Sequence, residues 1–154
     1  MASMDLYSIV LFVHIVGALV LFVLLTVEGV GLRAGFPSAA LNRVLGPISA
    51  LAILFPGLYL MKAQWGWTGW VVVGIAAWFL IAVIGAGTGI GVMRGRITRQ
   101  AATASWLIRV GMALGVVFDM TVKPSLLVSL GAVVAGIAIG GAVSVAGRRG
   151  VLST

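Results

Sequence analysis

Five long apolar stretches alternate with short polar breaks, and the breaks carry nearly all the charge. The stretches predict helices over about residues 6–32, 44–61, 69–92, 106–122 and 124–145. A hydrocarbon core needs roughly 20 apolar residues per helical span, so these five runs predict a polytopic all-α bundle with five transmembrane helices. Gly35 and Pro37 end the first run, and Pro56-Gly57 interrupts the second, where Pro56 frees a carbonyl one turn earlier and predicts a kink. Only Lys123-Pro124-Ser125 separates the last two runs, which read as a tight hairpin with Pro124 in the first turn of helix 5. A four-helix arrangement, with one of those runs re-entrant, is the structural rival.

Composition narrows the class. The 154 residues are 62% hydrophobic and 8% charged, with a mean hydropathy of +1.24, which leaves too little polar surface for a soluble globule. The opening MASMD lacks a positive n-region, so the first run reads as a retained helix and not a cleaved signal peptide. A net charge of +7 would suggest nucleic acid in a soluble chain, but here the arginines sit at helix ends and act as topology signals. Zero cysteines remove disulfides, thiolate metal sites and cysteine nucleophiles.

The positive residues then orient the chain. Arg33 and Arg43, the trio Arg94, Arg96 and Arg99, and Arg148 with Arg149 alternate with the single lysines Lys62 and Lys123. Rich loops face the cytoplasm, which predicts an outside N-terminus, a cytoplasmic C-terminus, and an outer interface holding Trp65, Trp67 and Trp70. The expected surroundings are a bacterial inner membrane with anionic headgroups on its cytoplasmic side. Glycines at 85, 87, 89 and 91, at 111 and 115, and at 136 and 140, with Ala132, predict close helix contacts and self-association or membership of a larger membrane complex. No register of the Gly85–Gly91 run gives G-x-G-x-x-G.

Four ionisable residues interrupt the runs: His14, Glu28, Arg109 and Asp119. Tyr7, His14, Leu21 and Glu28 recur every seven residues and form one inward stripe on helix 1. At about 1.5 Å per residue, Glu28 lies roughly 21 Å deeper than His14. The charges therefore sort into two layers. The inner one pairs Glu28 with Arg109 near the cytoplasmic end of helix 4, with Arg33 one turn on from Glu28, and the outer one gathers His14, Asp119 and Lys123 with Tyr7, Tyr59 and Lys62, Asp119 and Lys123 standing in the favourable order for a helical pair. His14 has no local partner and reads as a packing element or as a ligand to haem or copper, with Met120 as cofactor ligand and Asp119 as metal ligand.

FVHIVGA around His14, an arginine early in helix 4 and DMTVKPSLL at 119–127 resemble small bacterial inner-membrane proteins related to the copper-resistance D family. The resemblance implies the helical fold and singles out His14, Arg109, Met120, Lys123 and Pro124. It also implies haem or copper handling through the helix 1 histidine, although no Met-rich or His-rich loop accompanies it. Three functions follow as expectations: binding of haem or copper, a small carrier or proton-coupled channel, and a structural or assembly subunit. No nucleophile with a base and no paired carboxylates share a depth, so enzymatic chemistry is not expected.

Overall fold

The computed structural model describes residues 5–36 and 39–151, and these form five helices with no strand among them. They are α1 (Leu6–Ala34), α2 (Ala39–Leu60), α3 (Gly69–Met93), α4 (Arg99–Val122) and α5 (Leu126–Val151). Each contains a window long and apolar enough to cross a membrane, so the protein is a multi-pass membrane protein with five spans. Their outward faces carry Phe12, Leu19, Phe55, Phe79, Leu127 and Ile139, all exposed, as suits side chains that meet lipid.

Four helix ends differ from the hydropathy reading. α2 starts at Ala39 instead of 44, which sets Pro47 about two turns inside the helix instead of near its start. Beyond Leu60 the helix widens into a π-helical turn, Met61–Trp65, closed by Gly66 at φ 64° with its N–H on the Met61 carbonyl at 2.7 Å. α4 starts seven residues earlier than the apolar run because Thr98 caps it, its Oγ1 accepting from Ala101 N at 3.2 Å. Polar Arg99 and Gln100 hid that turn from hydropathy, yet the alanines among them favour a helix. α5 begins at Leu126, leaving Pro124 in the link and not in the first helical turn.

The chain divides into two compact units, one up to Trp67 and one from Thr68. In the first, α1 and α2 run antiparallel. Ser49 donates to the Gly17 carbonyl at 2.9 Å, and a Cβ on Gly17 would lie 3.0 Å from Ala52, so the two backbones touch at that level. In the second, α4 lies antiparallel to both α3 and α5. Gly111 faces Gly136, Gly115 faces Val133, and Gly140 faces Leu107; a Cβ on Gly111 would stand 2.0 Å from the Gly136 carbonyl oxygen. Steps of four on α4 thus meet steps of three or four on α5, a ladder that only small residues permit.

The same ladder realises the close helix contacts that the glycine spacing predicts. Gly136 and Gly140 point at α4, so this small-residue stripe is consumed inside the chain. In the Gly85–Gly91 run, Gly85 admits the Arg109 side chain of α4 and Gly91 meets Ile97 of the link, while a Cβ on Gly87 or Gly89 would meet nothing within 4 Å; Thr88 Oγ1 and Ser105 Oγ share a hydrogen bond of 2.7 Å between α3 and α4. Thr26, Thr103 and Thr121 return their hydroxyls to carbonyls one turn back, which satisfies them without water.

Candidate functional site

The helix 1 stripe faces α2, as its seven-residue spacing predicts. Tyr7 Oη donates to Gln64 Oε1 in the π-helical turn, which brings that glutamine side chain to the start of α1. His14 Nδ1 lies 2.8 Å from the carbonyl of Ile53, three residues before Pro56. A carbonyl only accepts, so Nδ1 carries the proton and Nε2 keeps its lone pair in the neutral ring. Gly57 makes room for the ring: a Cβ there would lie 3.1 Å from His14 Cε1. At the other end of the pair, Asn42 Nδ2 donates to Glu28 Oε2 at 3.3 Å.

His14 is thus a cross-helix pin on a proline-containing segment. Replacing it with Ala is expected to remove the hydrogen bond and leave a gap over Gly57, lowering the thermal midpoint of the detergent-solubilised protein by an amount equivalent to about 1–3 kcal/mol. A midpoint equal to wild type would show that the pin carries no stability.

In the second unit Arg109 is buried and lies across Gly85. Because α4 begins at Arg99, Arg109 stands about 15 Å along the helix axis, deeper than the cytoplasmic end that the hydropathy pattern predicts for it. Glu28 belongs to the first unit and Arg109 to the second.

Asp119 is the residue that stands apart. It is 0% exposed, as is Ser129 opposite it on α5. It continues the α4 steps of four through Gly111 and Gly115, so the close approach that the glycines permit carries its carboxylate into the α4–α5 seam. Ser129 is the polar side chain that meets it. The two side chains face each other without the close, aligned geometry of a formed hydrogen bond.

The expected helical pair with Lys123 does not form. Lys123 ends α4 in the left-handed region, φ 52°, its N–H on the Asp119 carbonyl at 2.9 Å. The chain has left the helical path at that point, so the exposed lysine side chain is not returned to the carboxylate one turn below.

Met120, the neighbouring candidate, turns its methyl toward Gly74 on α3, where a Cβ would lie 2.9 Å away. Among the described residues no three His, Cys, Asp or Glu side chains gather as a metal site would require. Asp119 keeps the company of a hydroxyl and glycines, and His14 that of a backbone carbonyl. Ser129 was not a candidate from sequence, although extending the α5 series Ala132, Gly136, Gly140 back by one turn reaches it.

Comparison with family models, with curated proteins and with solved structures finds no match.

Proposed function

We propose that the protein translocates a cation across a bacterial inner membrane, with Asp119 as the carboxylate that binds it. One observation carries the reading: a fully buried aspartate in a membrane-length helix, with the Ser129 hydroxyl facing it across the seam. Leaving a carboxylate so costs several kcal/mol, and ionisable side chains that persist inside spans mark ion or proton pathways. A structural carboxylate would be expected to hold a cation or a cluster of donors instead.

The positive residues support an orientation with Gly66 and the tryptophans outside and Arg94, Arg96 and Arg99 inside. The chain has no cysteine, so single cysteines report cleanly. A membrane-impermeant thiol reagent is expected to label Gly66→Cys in intact cells and Gly95→Cys only after the membrane is opened; the reverse pattern would invert the orientation. FVHIVGA and DMTVKPSLL, the segments behind the proposed kinship with copper-resistance D relatives, include His14 and Gly17 in one and Asp119 in the other.

The reading is tested in liposomes loaded with a cation-sensitive dye. Wild-type protein should dissipate an imposed cation gradient, and Asp119→Asn, matched in shape, should return the liposomes to the rate of empty ones. Equal rates for the two proteins would remove Asp119 from the function.

A second reading, haem or copper handling through His14, draws on the Nδ1–H bond to Ile53 O. Ligating histidines commonly donate their other nitrogen to a carbonyl. In the first unit His14 Nε2 would be the ligand. Protein purified in mild detergent would then show a Soret band or stoichiometric copper that His14→Ala lacks; a colourless, metal-free wild type would set the reading aside.

A further inference from the structure

We infer that the cation carried by Asp119 is a proton, and that Ser129 is the hydrogen-bonding partner through which it is held; this rests on the translocation reading above. The first argument is the number of ligands. A hard metal cation collects about six oxygens. The seam offers Asp119 Oδ1 and Oδ2 and Ser129 Oγ, and Thr68 Oγ1, buried and unpartnered at the same end of the unit, adds a fourth at most. Helical carbonyls cannot fill the difference, since those beside the seam belong to helix hydrogen bonds.

The second argument is space. One turn below Asp119, a Cβ on Gly115 would stand 2.9 Å from Val133 Cα. Between backbones that approach so closely there is no room for an ion with a coordination shell, and the hollow beside the seam, along Gly111, Leu114, Ala132 and Ile139, has apolar walls that offer it no ligand. A proton needs one carboxylate oxygen and one neighbour.

The third is that the pair works in both protonation states. With Asp119 ionised, the Ser129 hydroxyl donates to the carboxylate. After uptake the new carboxyl O–H donates to Ser129 Oγ, so a small rotation of either side chain gives a hydrogen bond each time. Uptake is the transfer of one proton from hydronium to Asp119, yielding the carboxylic acid and water; release is the reverse transfer to water. No other bond changes and no electron moves.

The surroundings keep the site a single one. α3 carries no titratable residue, and α5 has none before Arg148. On α4 itself Arg109 lies about 15 Å along the axis from Asp119, and Lys123 ends the helix in the left-handed region.

The test is an infrared pH titration of the protein in lipid. With three carboxylate side chains in the chain, Asp5, Glu28 and Asp119, the carboxyl region is simple. Wild type should develop, as pH falls, a carboxylic C=O band that Asp119→Asn lacks. Ser129→Ala should displace its frequency, and replacing sodium and potassium by choline should leave its midpoint unchanged. A midpoint that moves with sodium or potassium would overturn the proton assignment while leaving cation translocation standing. Identical wild-type and Asp119→Asn titrations would overturn the proton assignment whatever the flux. The Ser129→Ala frequency is an independent arm should Asp119→Asn fold poorly: an unmoved band would overturn the role given to Ser129.

Discussion

Gly136→Leu should destroy the α4–α5 unit. The Cβ that any larger residue adds at Gly136 falls 2.2 Å from the Gly111 carbonyl oxygen, and this is a backbone atom that no rotamer change can move aside. Ordinary overpacking costs about 1–3 kcal/mol because side chains give way. Here the helix axes must separate, and the contacts at Gly115–Val133 and Gly140–Leu107 separate with them. The expected result is loss of a cooperative thermal transition and of monodisperse elution in detergent, while Gly141→Leu, with nothing within 4 Å of its Cβ, stays close to wild type. If the seam instead tolerated leucine and only an oligomer dissociated, the ladder would be an interface between copies and not an internal one.

Asp119→Asn is expected to act in the opposite direction on stability. Removing one member of a buried ion pair typically costs about 3–5 kcal/mol, because the partner charge is left alone. Asp119 has no such partner, and an Asn amide can donate to Ser129 Oγ. The substituted protein should therefore melt at or above the wild-type temperature. A fall of the size expected for a broken ion pair would mean that Asp119 is a structural residue.

These two expectations separate what the chain displays from what it conceals. Length and hydropathy are local properties, so five spans and the inward stripe of Tyr7, His14, Leu21 and Glu28 could be read directly. The start of α4 could not, because Thr98 caps it by a side-chain bond while the helix continues through polar residues that hydropathy counts as loop. The partner of His14 was equally hidden. It is a backbone carbonyl, and every residue has one; only the antiparallel register of α1 and α2 selects Ile53.

The seam was half visible. Gly111, Gly115 and Asp119 follow one another at steps of four, and that spacing alone places the aspartate on the packed face of the helix. Its distance from Lys123 suggested a pair, and the left-handed residue at the helix end is what prevents it. Ser129 acquires meaning only once α5 is laid against α4. Polar residues that lack sequence-local partners mark both sites, but their contacts depend on helix register, which hydropathy does not encode.

The most direct measurement is the initial rate of cation flux into liposomes holding equal amounts of folded wild-type or Asp119→Asn protein, with empty liposomes beside them. Translocation through Asp119 predicts a wild-type rate well above the empty liposomes and an Asp119→Asn rate equal to them, although the variant melts no lower. A wild-type rate that matches empty liposomes, or a variant as fast as wild type, would contradict it.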